Sequence, residues 1–269
     1  MSTIRKVTNY LGRIPNGVTQ PVRVQADDGK VYVMKYLHEF CSAKILYNEL
    51  IAYRIGKLLE IPMPFCTVAE LSEAVITKTP HLLETKAVAC TCFLSEYRAG
   101  TPKISPILAR NTVNGADISK ILVFDQIILN NDRAKNDGNL YYDKKEKKVL
   151  AIDHSHIFIN GEIWSANELK QLKGKSPMVV DNLLGRNYRA FSSHLAGYNC
   201  YNDTKDKIKN LTKTDVQNIF REIPEDWEIE QEEIESSFEL IWKQMEQIEG
   251  ITTQLQNAYS KRKGGNDYE

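Results

Sequence analysis

Apolar and polar residues alternate with a period of two over Pro21-Val-Arg-Val-Gln-Ala26 and again over Val31-Tyr-Val-Met-Lys35-Tyr36. Between these runs lies Asp27-Asp28-Gly29-Lys30, a turn composition, so the pattern predicts a β-hairpin whose second strand closes on Lys35. The period then changes. Ile45, Leu46, Ile51, Ala52, Ile55, Leu58 and Leu59 follow helical spacing over about 41–59, with Glu49 in the middle, and Ile61-Pro62-Met63-Pro64 stops the helix. Residues 65–71 and 87–94 read as further strands. The polar break Glu96-Tyr97-Arg98-Ala99-Gly100-Thr101-Pro102 marks a boundary, which gives an N-terminal lobe of 1–95.

Beyond the break the pattern is mainly helical. Residues 117–130 are apolar around most of a helical circumference, at Ile118, Ile121, Leu122, Phe124, Ile127, Ile128 and Leu129, and a polar loop, 132–139, follows directly. Leu140-Tyr-Tyr142 and Val149-Leu-Ala-Ile152 form a second hairpin around the charged turn Lys144–Lys148. From about 212 onward the chain reads as acid-rich helices, one of them running from Ile234 to Leu255. The helical C-terminal lobe spans 96–260, and 261–269 is expected to be a disordered tail. The expected fold class is α+β and two-lobed: an N-terminal antiparallel sheet with one helix, then a mainly helical lobe.

Composition narrows the function classes. At 269 residues the chain is at the upper end of what one core supports, which agrees with two lobes. Thirty-five basic side chains balance thirty-five acidic ones, so no bulk attraction to nucleic acid or to an anionic membrane is indicated. No apolar run reaches the length of about 18 residues that a membrane span needs. An odd set of five cysteines, at 41, 66, 90, 92 and 200, fits a reducing compartment, and the expected location is the cytosol. Cys90-Thr91-Cys92 lies in an apolar run without a second ligand pair, which makes it a piece of buried strand.

The polar residues that remain unexplained fall at the ends of apolar elements. Asp132, Arg133, Asn136, Asp137 and Asn139 crowd the loop after the buried helix, and Asp153 follows the second hairpin. A carboxylate, an amide and a second carboxylate so placed suit phosphoryl transfer, in which one Asp orients the attacking hydroxyl and an Asn and another Asp hold a metal ion. Lys35 on a strand and Glu49 fourteen residues later on a helix supply an ammonium and its partner. The order of these four parts is that of protein-kinase-like enzymes. His154 and His156 are separated by one residue, which on an extended segment gives them the same face, and they are read as packing residues near the floor of the site.

The chain resembles the HipA-like bacterial serine/threonine kinases, which are more distantly related to the phosphatidylinositol kinases. The resemblance rests on Asn16-Gly17-Val18-Thr19-Gln20-Pro21, Val31–Lys35, Asn48-Glu49, Phe93-Leu-Ser-Glu96-Tyr97, Asn131-Asp132-Arg133 with Gly138-Asn139-Leu140, and Ile152-Asp153-His154. It implies ATP and Mg²⁺ as cofactors. It further implies that Gly17, Val18 and Thr19 cover the phosphates, Lys35 binds them, Glu49 pairs with Lys35, and Glu96 and Tyr97 form the hinge that meets adenine through backbone groups. Asp132 corresponds to the catalytic base and Asp153 to the principal metal ligand, with Asn136 and Asn139 as level candidates for the metal-binding amide and Asp137 below them. Expected partners are ATP, a protein substrate bearing a Ser or Thr acceptor, and an antitoxin or regulatory protein; no membrane and no direct nucleic acid are expected. Two departures keep alternatives open: Ala134 stands where many relatives carry His or Thr, and position 137 is Asp where an Asn is usual. The alternatives are a nucleotide-binding pseudokinase and a small-molecule or lipid kinase.

Overall fold

The computed structural model describes residues 4–15, 17–133, 136, 139–180, 185–197 and 199–260. The chain begins with β1 (Arg5–Arg13), β2 (Val22–Ala26) and β3 (Val31–Lys35), followed by α1 (Ala43–Leu58) and β4 (Cys66–Leu71). Two short helices, α2 (Glu73–Thr77) and α3 (Pro80–Glu84), lead to β5 (Cys90–Glu96). The hairpin expected at 21–36 is present as β2 and β3, and the helix expected over 41–59 is α1.

The N-terminal sheet differs from expectation in closing on itself. Its order is β1-β2-β3-β5-β4, and the barrel is shut by a parallel pairing of Arg5 with Ala69 and Lys6 with Glu70, so it is not a plain antiparallel sheet. The cause lies in β1, whose ladder with β2 shifts register between Val7 and Asn9 and again between Tyr10 and Gly12. Such irregularities bend and coil a strand, which brings its start onto the far edge of the sheet. They also shift the phase of the alternation, the exposure of β1 keeping a period of two only within 5–8 and within 9–13, which hides the strand in the sequence pattern. β5 runs to Glu96 because Ser95 and Glu96 still have partners in Val33 and Tyr32.

After the barrel come β6 (Gly100–Thr101), α4 (Pro106–Asn111), a 3₁₀ turn at Gly115–Asp117 and α5 (Ile118–Ile127). β7 (Leu140–Asp143) and β8 (Lys148–Ala151) form the expected second hairpin, and β6 adds to its edge. The remaining helices are α6 (Ala166–Gly174), α7 (Arg186–Arg189), α8 (Ser192–Leu195), α9 (Asn202–Lys209), α10 (Lys213–Ile219), α11 (Gln231–Glu246) and α12 (Ile248–Ser260). The single helix expected over 234–255 is thus two, broken at Gln247, and α12 turns to pack on α5, α8 and α9. The expected tail, 261–269, lies outside the described residues.

Two apolar cores result. The barrel encloses Val22, Val24, Tyr32, Met34, Ala69, Cys92 and Leu94, capped by Ile76 and Leu82. The larger core gathers α1 with α5 and the C-terminal helices, through Leu46, Leu50, Ile55, Phe124, Trp227, Leu240 and Leu255 among others. Helix α1 therefore packs with the helical part of the molecule although its sequence lies within the barrel. All five cysteines are free. No helix among the described residues is long and apolar enough to cross a membrane.

Candidate active site

Three elements converge below the barrel, and each delivers one charge. Lys35 is the last residue of β3, where the strand faces α1; Glu49 sits in the middle of α1; Asp153 follows β8 in a left-handed conformation at φ 55°. The Lys35 ammonium donates to Glu49 Oε1 and, at 2.8 Å, to Asp153 Oδ1. Glu49 Oε1 also accepts the backbone N–H of His154 at 3.1 Å, and Asp153 Oδ1 accepts the Ser155 hydroxyl at 2.8 Å.

Burial alone would neutralise these groups, yet their mutual attraction outweighs it. Burial pushes Glu49 up, but the Lys35 charge and the His154 hydrogen bond bring it below the usual carboxylate range. Asp153 is likewise held below its ordinary value by the Lys35 ammonium and the Ser155 hydroxyl, against the effect of burial. Lys35 is lifted above its ordinary value by Asp153 and Glu49 although its burial acts in the opposite sense. The result is a lysine and two carboxylates that all stay charged. The Lys35 and Glu49 side chains are only 9% and 4% exposed, whereas that of Asp153 is 35% exposed and leaves one side open for a ligand.

The loop after α5 supplies the second half. Asn130 Oδ1 accepts the backbone N–H of Asp132 at 3.0 Å, an Asx turn that reverses the chain as it leaves the helix. The Asp132 carboxylate then accepts Nδ2–H bonds from Asn139 at 2.7 Å and from Asn136 at 3.1 Å. Both candidate amides therefore touch the same oxygen of Asp132. They differ in setting, since Asn139 is buried and its backbone oxygen accepts from Ile152 N at 3.2 Å, next to Asp153, while Asn136 is exposed. Asp137 and Ala134 lie outside the described residues.

Arg133, which sequence reasoning left without a role, joins the two halves. Its guanidinium is fully buried and Nη1 donates to Asn139 O at 2.6 Å and Ile152 O at 2.8 Å, fastening the Asp132 loop to the segment between β8 and Asp153. Its charge is met by Asp125 on α5, through Nε at 2.9–3.0 Å, and Asp125 in turn accepts the Tyr188 hydroxyl. Asp125 had a visible signal: it is the one charged residue on an otherwise apolar helix face, and such residues are buried only when paired. Asn187 Nδ2 closes the loop from below, donating at 2.7 Å to the oxygens of both Arg133 and Asn136.

The remaining expected residues are placed less directly. Gly17 (φ 139°), Val18 and Thr19 lie in the β1–β2 connection; Val18 is 89% exposed at its tip, and Thr19 is buried with its backbone oxygen held by His38 Nε2 at 3.1 Å. Asn16 lies outside the described residues. Glu96 and Tyr97 do form the link out of the barrel, but their amide hydrogens are already donated, to Phe65 O at 2.7 Å and Val31 O at 2.9 Å. The carbonyls that follow are engaged as well, Arg98 O by the Tyr141 hydroxyl at 3.0 Å and Ala99 O by Lys144 N at 3.1 Å. The Glu96 side chain turns to Arg98 Nη2 at 3.3 Å.

His154 and His156 do not share a face, because Ser155 and His156 turn: His154 is buried beside Glu49, its Nδ1 3.6 Å from Oε2, and His156 is exposed. Burial and the Arg133 charge push His154 below its ordinary value, against the pull of Glu49. No group of three or more His, Cys, Asp or Glu side chains that could hold a metal unaided occurs among the described residues. Asp153 and Asn139 nonetheless offer the hard oxygens that suit Mg²⁺, which takes its other ligands from phosphate and water.

Comparison with solved structures places the fold. The proinflammatory kinase CtkA of Helicobacter pylori superimposes with a TM-score of 0.52 at 10% identity, covering 97% of either chain. HipA in a Shewanella oneidensis toxin–antitoxin complex with HipB and operator DNA gives 0.48 at 9% identity over 91% of this chain and 67% of that one. A MAP kinase of Leishmania major gives 0.34 at 10% identity, over 96% and 83%. Comparison with curated proteins finds no match. The sequence model described as HipA-like kinase matches residues 7–172, from β1 through the Lys35, Glu49, Asp132 and Asp153 positions into α6, and the chain therefore belongs to the HipA-like kinase family and is a kinase.

Proposed function

We propose that this kinase transfers the γ-phosphoryl group of ATP, with Mg²⁺, to a Ser or Thr hydroxyl of a protein. The observation that carries the reading is the Lys35 ammonium fixed between Glu49 and Asp153, with the Asp132–Asn139 pair tied to the same strand end through Arg133. The nucleotide lies between an ATP-binding lobe of 1–95 and a catalytic lobe of 96–260. Lys35 neutralises the α- and β-phosphates, oriented by Glu49. The connection carrying Gly17, Val18 and Thr19 covers the phosphates, and the segment after Glu96 receives the base.

Asp132 accepts a hydrogen bond from the acceptor hydroxyl and draws its proton away as the bond from that oxygen to the γ-phosphorus forms and the bond from the γ-phosphorus to the β-phosphate oxygen breaks, releasing ADP; the amides of Asn136 and Asn139 on the other Asp132 oxygen fix its direction. Asp153 and Asn139 are the residues that hold Mg²⁺, the inner position of Asn139 beside Ile152 favouring it over Asn136. When bound, the cation supplies charge neutralisation for the phosphates. A cytosolic location and an antitoxin or other regulatory protein as partner complete the proposal. The test is incubation with γ-labelled ATP and Mg²⁺, followed by acid hydrolysis of labelled protein and identification of the phosphoamino acid. Phosphoserine or phosphothreonine in the parent and none in Asp132→Asn is the expected result; nucleotide binding without any transfer would instead support a scaffold.

A further inference from the structure

Asn48, beside Glu49 in α1, has no part in the site described so far. It is fully buried, and its Nδ2 donates both hydrogens, to Ser155 O and to Gly161 O, each at 2.8 Å. Those oxygens bracket a segment that the backbone resists forming. Between them Phe158 (φ 57°) and Ile159 (φ 73°) lie in the left-handed region, as do Gly161 (φ 65°) at the far end and Asp153 (φ 55°) two residues before Ser155, and Ile159 is β-branched, the residue class least suited to it. Strain of this kind persists only where the surroundings over-determine it.

The surroundings do so from one helix. Glu49 takes the N–H of His154, and Asn48 takes the two oxygens on either side of the strained turn. Helix α1 is itself immobilised on the helical core: Tyr47 bonds to Ser237, Lys44 donates to Trp164 O at 2.6 Å and Glu233 at 2.7 Å, and Arg54 donates to Ile219 O and Arg221 O at 2.7 and 2.6 Å. Two carbonyl acceptors fix the amide orientation, so a donor pair is required and a carboxylate at this position would face two like dipoles.

We propose that Asn48 is a positioning residue for phosphoryl transfer, its amide stapling the strained segment that begins at Asp153 to the helix that carries Glu49. The lysine clamp and the cation-binding carboxylate are then set by one rigid helix. This deepens the reading of Asp153 as metal ligand and rests on it.

The test compares Asn48→Asp and Asn48→Ala with the same changes, to Glu and Ala, at Gln244. Gln244 is an equally buried amide that donates to Gln126 O at 3.0 Å and Met178 O at 2.9 Å, away from the site, and so reports the cost of losing a structural amide. Hydrogen exchange of 154–161 should accelerate at least about tenfold in either Asn48 variant and not in the Gln244 variants. ADP release from Mg–ATP should fall at least about tenfold in kcat, while affinity for ATP without divalent cation changes less than about twofold. If Asn48→Asp does not fold, Asn48→Ala, which adds no charge, carries the same readouts. Unchanged exchange overturns the staple, and faster exchange with unchanged kcat overturns the positioning role. Asp153→Asn that binds Mg–ATP like the parent would instead sink the Asp153 assignment and leave the exchange result standing.

Discussion

Replacing Lys35 by Met removes the ammonium but keeps most of the apolar stem, which isolates the charge. In the parent, Glu49 and Asp153 have depressed values, so their contribution to stability is complete above the unfolded carboxylate range and is lost as pH falls through and below about 4. Lys35 is raised, so its contribution is complete below about pH 10 and is lost only above that. Across pH 5 to 8 these three groups add no slope to the parent, whose stability falls below about pH 6.5 because burial holds His38, His81 and His154 below their ordinary values, an effect the variant shares. Without the ammonium, Glu49 is left charged with its side chain 4% exposed.

Breaking a buried pair in this way costs about 3–5 kcal/mol. Asp153, at 35% exposure, adds at most about 1 kcal/mol after solvent screening. Glu49 in the variant titrates above its unfolded value, so the loss is largest at neutral pH and shrinks as the carboxyl takes up a proton, by up to about 1.4 kcal/mol per pH unit. Urea unfolding followed by tryptophan fluorescence at pH 5, 6, 7 and 8 reads both curves, Trp227 and Trp164 being buried. On acidification from pH 8 to 5 the gap between parent and variant should narrow. A gap between the two curves that stays constant over this range, or a variant as stable as the parent at pH 7, refutes the view that Lys35 compensates buried carboxylates.

Asp132→Asn should lower ADP release by about 10² or more with ATP affinity nearly intact; Asp153→Asn should weaken calorimetric binding of Mg–ATP, and equal binding losses in the two would contradict the division of roles. Thr19→Ala should reduce ATP affinity modestly and Thr19→Asp should nearly abolish it; parent-like binding by both means the β1–β2 connection does not cover phosphate. A Cβ on Gly100 would lie 2.1 Å from Tyr142 O, a backbone atom, so Gly100→Ala should cost about 1–3 kcal/mol in chemical unfolding, and an unchanged midpoint would show that the β6–β7 approach can relax.

The β2–β3 hairpin, α1, β4, α5 and the β7–β8 hairpin were all written in the local apolar pattern, because each packs against its neighbours through residues close together in the chain, α5 around most of its circumference. The candidate residues were legible for a related reason: Lys35, Asp132 and Asp153 are charged groups at the ends of apolar elements, with no packing role to explain them, and Glu49 follows Lys35 at the spacing of a strand lysine and its helix partner. What the local pattern could not carry is any pairing between distant segments. Barrel closure depends on two irregularities in β1 and on Arg5 reaching Ala69; the break at Gln247 depends on the surface that α12 must cover. The same holds for the contact of Lys35 with Asp153 across 118 residues, the Arg133–Asp125 pair that ties the halves of the site, and the choice of Asn139 for the buried position. Residue type and spacing determined which groups had to be brought to the site, whereas the burial that keeps Lys35, Glu49 and Asp153 charged together exists only once the helical core has fixed α1 beneath the barrel.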